Sequence, residues 1–381
     1  MAAELPRRVL MTADTVGGVW SHALELARGL GRHGIRVDLA TMGALLTTAQ
    51  CSDAARIATL TLHESAYRLE WMAEPWDDVR RAGDWLLGLE SALRPDLVHL
   101  NQFAFGSLPF AAPSLLVGHS CVLSWWRAVH GEAAPREWDR YRQAVRDGLA
   151  GATRIGAPSR AMLDSLRHEY RHGGGGLVLP NGRSAQDFSP AAKAPLILSA
   201  GRLWDAAKNL TALEAVAPRL AWPVHVAGAT APPGGGVRAT RDVVALGELA
   251  PTGLARALSH AAIYALPARY EPFGQSVLEA ALSGCALVLG DIASLREVWG
   301  PAALYVAPDD HEALHACLSA LIDDAGLRER QAAAALARAR CFTPERMVDG
   351  YLAAYRSALD RRSGRDRALP AQHGAEAACA S

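Results

Sequence analysis

Short runs of apolar residues alternate with amphipathic segments along most of this chain. An apolar run at residues 8–12 is followed by a Gly-Gly turn, by apolar residues at helical spacing between 23 and 30, and by a second apolar run at 35–40. This order predicts a β-α-β unit. Because the two strands of such a unit run in the same direction, it also predicts a parallel sheet.

The alternation continues in two series. Further strand-like runs of the first series lie at 96–100, 115–118 and 153–157. Those of the second lie at 196–200, 224–227, 243–246, 263–266, 286–289 and 304–306. We therefore predict an α/β protein with two Rossmann-like, doubly wound parallel-sheet domains, comprising residues 1–190 and 191–343. Residues 361–381 are small, polar and alanine-rich, and we expect them to be disordered.

Composition narrows the class of protein without naming a function. The chain has 381 residues, half of them apolar, and 39 basic residues balance 39 acidic ones. No overall field favours nucleic acid, so we expect no nucleic-acid partner. Six cysteines lie scattered without a C-x-x-C pair, and the sequence shows neither a signal core nor a membrane-spanning run. We expect a cytoplasmic protein.

Two glutamates mark the most informative stretch. Glu271 follows the apolar run at 263–266, and Pro272 and Gly274 then open a helix that carries Glu279 and ends at 283–284. A carboxylate among the apolar neighbours of Glu279 is costly unless it has a partner. The alternative is a pair of ordinary glutamates that face solvent or meet a nearby arginine.

This stretch resembles the E-x7-E signature of the retaining glycosyltransferases of family 4, which adopt the GT-B fold. Three further segments match that family: Gly201-Arg202 followed by Lys208-Asn209, the hinge at 179–182, and the amino-terminal Gly-Gly loop at 14–18. The resemblance runs from Arg8 to about Leu359. It implies that the two domains face each other across a cleft, with the acceptor on 1–190 and a nucleotide-sugar donor on 191–343. It also implies that a helix at 344–360 crosses back to the first domain.

The resemblance implies a metal-free way of stabilising the leaving diphosphate, and the chain contains no Asp-x-Asp motif that would suggest otherwise. Arg202 and Lys208 would receive the growing negative charge. The backbone N–H groups of Phe273, Gly274 and Gln275, at a helix start, would add neutral donors. Ordinary solvated charges are the alternative for the two cations. We expect no metal and no cofactor beyond the nucleoside-diphosphate sugar itself.

The other donor-side roles come from the same resemblance. Glu279 would accept hydrogen bonds from the ribose, and Glu271 would lie beside the transferred sugar. His119, at the end of a first-domain strand, would face that sugar, although a purely structural histidine is the alternative. Gly17 and Gly18 would let the backbone approach the donor closely. Glu248 and Leu249 would contact the nucleobase, an assignment that has less support.

Trp125, Trp126 and Arg127 suggest an acceptor site, because aromatic faces stack on sugars and arginines bind phosphates. Two alternatives stay open: peripheral contact with the inner face of a membrane, and a solvated helix with buried tryptophans.

The predicted function is transfer of a sugar from a nucleoside-diphosphate sugar to a hydroxyl of a sugar, glycan or lipid-linked acceptor, with retention at the anomeric carbon. The composition suggests a GC-rich bacterial genome, and hence assembly of envelope or polysaccharide glycans. One alternative is a GT-B epimerase that consumes the donor without an acceptor. Another is a non-catalytic protein that binds nucleotide sugars.

Overall fold

The computed structural model of the protein describes residues 5–232, 235–236 and 238–362. These residues separate into two compact units. The first contains the described parts of 1–124, 133–182 and 344–374, and the second contains 125–132 and the described parts of 183–343. Disorder was predicted for residues 361–381, and those beyond Arg362 lie outside the described residues.

A seven-stranded sheet forms the centre of the first unit. Its strands are β1 (Arg8–Asp14), β2 (Arg36–Met42), β3 (Leu60–Glu64), β4 (Leu97–Leu100), β5 (Ser114–Val117), β6 (Arg154–Ala157) and β7 (Leu177–Val178). They lie in the order β3-β2-β1-β4-β5-β6-β7, and neighbouring strands pair in parallel. The central strands are buried on both faces, which explains their largely apolar sequences.

Helices connect these strands. They are α1 (Gly18–Arg32), α2 (Thr48–Ala55), α3 (Trp76–Leu93), α4 (Val122–His130), α5 (Asp139–Gly151) and α6 (Arg160–Tyr170). Residues 125–130 of α4 belong to the second unit.

The second unit contains a six-stranded sheet. Its strands are β8 (Ala194–Ala200), β9 (Val224–Ala227), β10 (Val244–Gly247), β11 (Ala261–Leu266), β12 (Ala286–Gly290) and β13 (Leu304–Val306). They are ordered β10-β9-β8-β11-β12-β13 and again pair in parallel. The helices of this unit are α7 (Leu210–Val216), α8 (Pro251–His260), α9 (Gln275–Leu282), α10 (Ala293–Trp299), α11 (His311–Asp323) and α12 (Ala325–Ala339). The predicted α/β class with two parallel sheets is confirmed.

The final helix, α13 (Pro344–Arg362), returns to the first unit. Val348, Tyr351 and Tyr355 of this helix are buried in the core of that unit. The absence of a side chain at Gly29 of α1 permits close contact, since a Cβ there would lie 2.2 Å from Val348 Cγ2. The helix is therefore an integral part of the first unit rather than an appendage.

Candidate active site

The second sheet brings two of the predicted site segments together. The chain leaves β8 and β11 at neighbouring positions, because these strands pair although they are not consecutive. In doubly wound sheets, the crevice at such a switch of strand order is where ligands bind. Arg202 follows β8 and Glu271 follows β11, so the strand order places both at this edge of the sheet.

Glu271 is held between a cation and two backbone contacts. Its Oε2 lies 2.5 Å from Lys208 Nζ, and only 12% of the glutamate and 17% of the lysine side chain are exposed. Its Oε1 accepts a hydrogen bond of 3.0 Å from the Gly274 N–H, and its carbonyl accepts one of 2.6 Å from Ser294 Oγ. The carboxylate therefore has a defined orientation, and its partial burial strengthens the attraction to Lys208.

The backbone conformation and the hydrogen bonds of Asn209 explain why an asparagine follows Lys208. Its backbone is left-handed, with φ of 56°, a conformation that asparagine tolerates better than most residues. Its Nδ2 donates to the carbonyls of Pro267 and Pro308, over 2.9 and 2.7 Å. The first of these bonds ties the loop after β8 to the loop after β11, which keeps Lys208 beside Glu271.

Gly274 is required by the backbone at the start of α9. Its φ is 92°, in the left-handed region that favours glycine. A Cβ at this position would also lie 3.0 Å from Val277 Cγ2 and 3.3 Å from Leu295 Cδ2. Gly274 thus allows a sharp turn at the start of α9. This turn directs the Gly274 N–H toward the Glu271 carboxylate.

Glu279 lies on the buried side of α9 and pairs with Arg183. Only 8% of Glu279 is exposed, and Arg183 Nε lies 3.1 Å from its Oε1. Burial raises the pKa of the Glu279 carboxyl, whereas the charge of Arg183 and a hydrogen bond with Gln275 act to lower it. Arg183 and Gln275 therefore stabilise a carboxylate that would otherwise be costly to bury.

Asp205 connects Arg202 with Trp125. Its Oδ2 accepts from Arg202 Nη2 over 2.8 Å, and its Oδ1 accepts from Trp125 Nε1 over 2.8 Å and from the Ala207 N–H over 3.0 Å. The Asp205 side chain is 4% exposed, whereas that of Arg202 is 39% exposed. A buried carboxylate thus orients a guanidinium that stays accessible.

In the first unit, Asp14 shapes the turn after β1. Its Oδ1 accepts hydrogen bonds from the N–H groups of Val16 and Gly17, over 3.2 and 2.9 Å. Gly17 precedes α1 with extended backbone, and a Cβ on Gly18 would meet no described atom within 4 Å. Within the described part of the chain, packing gives no reason for glycine at position 18.

His119 is the predicted site residue of the first unit that follows β5. Its Nε2 lies 2.8 Å from Asn101 Oδ1, and Asn101 Nδ2 donates to the Thr12 carbonyl over 2.6 Å. Burial lowers the pKa of His119 to about 4. The ring is therefore neutral near pH 7, and it is held by a residue that follows the neighbouring strand β4.

Two further histidines and two tyrosines lie behind His119. The His22 and His119 ring centroids are 4.7 Å apart in an edge-on arrangement. Tyr351 Oη lies 3.1 Å from His22 Nε2, and Tyr355 Oη lies 2.9 Å from His99 Nδ1. Burial lowers the pKa of His99 to about 3 and that of His22 well below its ordinary value. All three histidines are thus neutral at physiological pH.

The other predicted residues have different surroundings. Glu248 is exposed just after β10, and Leu249 packs in part against the core of the second unit. Phe273 is buried, with its ring 5.4 Å from that of Phe342. Trp126 packs on His130 with ring centroids 4.4 Å apart. Arg127 lies between Trp126 and His130 on α4 and is exposed.

Sequence reasoning missed Arg183, Asp205 and Asn101. Arg183 directly follows the hinge motif, and Asn101 directly follows an apolar strand, so a polar residue at the end of a recognised motif was the available signal. Asp205 caps the short 3₁₀ turn that carries Lys208, with its side chain accepting from the Ala207 N–H. Partnerships with residues distant in sequence are not visible from those signals.

Within residues 5–232, 235–236 and 238–362, no three His, Cys, Asp or Glu side chains are grouped so as to hold a metal ion. No helix in this described part combines the length and the apolar character needed to cross a membrane.

Two family models match the chain one after the other. The model described as Glycosyltransferase Family 4 matches residues 16–186, and the model described as Glycosyl transferases group 1 matches residues 194–324. Together they span most of the chain.

Named relatives match shorter stretches. The chain is 39% identical over 104 residues to a glycogen synthase of Mycobacterium tuberculosis, which covers 27% of this chain and 24% of that protein. It is 32% identical over 121 residues to the O-antigen chain mannosyltransferase B of Escherichia coli, which covers 31% and 32%. The matched stretch is thus less than a third of the length of either relative.

Solved structures share the fold over nearly the whole chain. A sucrose-phosphate synthase from Thermosynechococcus elongatus superposes with a TM-score of 0.76 at 17% identity, covering 92% of this chain and 98% of that one. Anabaena HepE, in complex with UDP and glucose, has a TM-score of 0.69 at 16% identity, covering 91% and 99%. The predicted GT-B fold is confirmed, and with both family models matched, the chain belongs to the group 1 glycosyltransferases of family 4.

Proposed function

We propose that the protein transfers a sugar from a nucleoside-diphosphate sugar to an acceptor hydroxyl, with retention at the anomeric carbon and without a metal ion. The observation that carries this proposal is the placement of Arg202, Lys208 and Glu271 at the switch point of the second sheet, with Lys208 Nζ 2.5 Å from Glu271 Oε2. Two cations and an oriented carboxylate at one ligand-binding edge suit a reaction that separates charge.

The leaving group needs positive charge. When the bond between the anomeric carbon and the phosphate oxygen breaks, negative charge grows on the diphosphate, and preorganised cations lower the barrier. Arg202 is oriented by the buried Asp205 and stays 39% exposed, so it is available to an anion. Lys208, held beside Glu271, supplies the second cation.

The reacting sugar gains positive charge at the same time. A fixed carboxylate stabilises an oxocarbenium-like centre, and Glu271 is fixed by Lys208 and by the Gly274 N–H. The acceptor oxygen forms its bond on the face that the phosphate leaves. The proton of the acceptor hydroxyl passes to the departing phosphate oxygen, so that neither an added base nor a metal is needed.

The nucleoside would be bound by Glu279. Burial raises the pKa of this carboxyl, and Arg183 and Gln275 act against that rise; in its ionised form it can accept hydrogen bonds from ribose hydroxyls. Gly18 supports a role for the first unit, since the described neighbours leave space where a side chain would be. His119 would contribute a neutral ring to the sugar.

Donor and acceptor class are suggested by the relatives. HepE was solved with UDP and with UDP-glucose, so a UDP-hexose is the first donor to test. The names of a glycogen synthase and an O-antigen chain mannosyltransferase suggest a growing glycan as acceptor, in bacterial polysaccharide or envelope assembly. A site in the cytoplasm, with peripheral contact at the membrane, fits such an acceptor.

The test is release of nucleoside diphosphate from UDP-, GDP- and ADP-hexoses, with and without oligosaccharide acceptors, in the presence of a metal chelator. We expect acceptor-dependent release from one nucleotide class, unchanged by the chelator. Donor conversion that is independent of acceptor would favour an epimerase. Binding without any conversion would favour a non-catalytic protein.

A further inference from the structure

Both polar atoms of the Asn101 side chain have hydrogen-bond partners: Nδ2 bonds to the Thr12 carbonyl and Oδ1 to the His119 ring. Asn101 Nδ2 donates to the Thr12 carbonyl over 2.6 Å, and the Asn101 N–H donates to Thr12 Oγ1 over 2.9 Å. A carbonyl can only accept, so the amide NH₂ group must face Thr12 and the amide oxygen must face His119. That oxygen, Oδ1, lies 2.8 Å from His119 Nε2.

This geometry determines where His119 carries its proton. An amide oxygen only accepts, so His119 Nε2 must be the donor. A neutral imidazole has one N–H, and burial lowers the pKa of His119 to about 4, which keeps the ring neutral near pH 7. Nδ1 therefore has a free lone pair and acts as an acceptor.

The groups packed around His119 do not oppose this state. From α1, His22 meets the ring edge-on at 4.7 Å between centroids, and from β4, His99 lies nearby and also interacts with the Asn101 side chain. Burial lowers the pKa of both histidines, so they are neutral. Tyr351 of α13 packs on both of them, and burial raises the pKa of its phenol.

We propose that Asn101 is a positioning residue that holds His119 as its Nε2–H tautomer, so that Nδ1 accepts a hydrogen bond from a hydroxyl of the transferred sugar. The sugar hydroxyl as partner rests on the proposed function, whereas the tautomer does not. An aspartate at 101 would place a carboxylate against Nε2 and favour the imidazolium, in which both ring nitrogens donate. An alanine would leave the tautomer undetermined.

The tautomer can be measured on the full chain without substrate. Long-range ¹H–¹⁵N correlation spectra of protein labelled in its imidazole nitrogens distinguish the two tautomers and the imidazolium. His119 is assigned by the signals lost in H119Q. At pH 7 we expect a protonated Nε2 and an unprotonated Nδ1 in wild type, a mixture of tautomers in N101A, and imidazolium in N101D. A wild-type ring protonated on Nδ1, or on both nitrogens, would overturn the proposal.

Activity supplies the second readout. In N101D we expect the acid side of the pH profile of kcat to move to higher pH, because protonation of His119 removes the Nδ1 acceptor. In N101A we expect kcat to fall roughly three- to tenfold, the scale of one lost hydrogen bond, with less change in KM. Gln143→Glu adds the same charge on an exposed part of α5 and serves as the control. An N101D profile that coincides with that of the control would overturn the proposal.

The proposed function and the role of Asn101 can be disproved independently of each other. The expected wild-type tautomer, together with an absence of transfer from any donor, would remove the proposed function and leave the role of Asn101 intact. Transfer by a protein whose His119 is protonated on Nδ1 would remove the role of Asn101 alone. If N101D does not fold, N101A retains both readouts.

Discussion

Arg183 Nε lies 3.1 Å from Glu279 Oε1, and the two side chains are only 14% and 10% exposed. The arginine immediately follows the hinge motif, and the glutamate lies on α9 within the signature that the sequence made recognisable. A buried ion pair of this kind is costly to break from one side, because the remaining charge stays desolvated. The ribose-binding carboxylate that we propose is thus stabilised by a residue outside the signature.

Removing only the arginine should destabilise the protein. For R183M we expect a loss of about 3 kcal/mol in the free energy of unfolding, since Glu279 stays buried without its cation. Adding E279Q should recover much of that loss, because a neutral amide is less costly to bury. Urea denaturation of the wild type, both single variants and the double variant measures the coupling. Additive effects would show that the pair does not act as a unit.

Lys208 should contribute to turnover rather than to affinity for the donor. In K208A we expect kcat to fall by roughly 100-fold at saturating donor, the scale of one lost electrostatic contact in the transition state. Steady-state kinetics, with nucleoside diphosphate release as the readout, give kcat and KM separately. R219A removes a cation from an exposed pair with Glu312 and should leave both constants unchanged. A normal kcat for K208A would exclude the lysine from stabilising the leaving group.

Trp125 should act through Asp205. W125F keeps an aromatic face but loses the Nε1–H that donates to Asp205 over 2.8 Å. We expect kcat to fall roughly tenfold, with a similar fall in D205N, because both changes loosen the carboxylate that orients Arg202. The acceptor site predicted at this residue makes the opposite prediction. If Trp125 stacks on the acceptor, W125F keeps wild-type kinetics and only W125A raises KM for the acceptor.

His99 and His119 should make the protein sensitive to acid. Their pKa values are lowered by burial, to about 3 for His99 and about 4 for His119, whereas in the unfolded chain they approach roughly 6.5. Below about pH 6.5 the unfolded state binds more protons than the folded state. The free energy of unfolding therefore decreases as the pH is lowered, until the pH reaches the pKa values of the folded protein. Each such histidine adds a slope of about 1.4 kcal/mol per pH unit.

Urea denaturation between pH 5 and 6.5 measures this slope. We expect H99Q to lower this slope by about 1.4 kcal/mol per pH unit, which corresponds to one proton. H33Q, at an exposed position after α1, serves as the control. Glu70 works in the opposite direction, because burial raises the pKa of its carboxyl to about 7 and stability is then lost as pH rises toward that value. An H99Q slope equal to that of wild type would mean that His99 is already protonated when folded.

The sheets could be predicted where strands are buried on both faces. The predicted run at 263–266 lies within β11, and the predicted run at 196–200 lies within β8. Both could be predicted because central strands of a parallel sheet are largely apolar. The edge strands β3 and β7 were not predicted. Leu60–Glu64 is only half-buried, and Leu177–Val178 has two residues, so neither forms an apolar run.

The site could be predicted where local chemistry is unusual for its place. Glu279 among apolar helix residues, and glycine at 274, are anomalies that a sequence displays. Arg183, Asp205 and Asn101 are ordinary polar residues in loops, and only the fold gives them their partners. The contact between Trp125 and Asp205 could not be predicted for the same reason, since nothing near Trp125 in sequence identifies Asp205 as its hydrogen-bond acceptor.

The most direct test of the central claim is the anomeric configuration of the product. Proton NMR of the reaction with the accepted nucleotide sugar and an oligosaccharide acceptor follows both anomeric signals over time. We expect a new glycosidic signal with the configuration of the donor, formed as the nucleoside diphosphate is released and unaffected by a chelator. An inverted product, or loss of the donor without a new glycosidic bond, would contradict retaining glycosyl transfer by this protein.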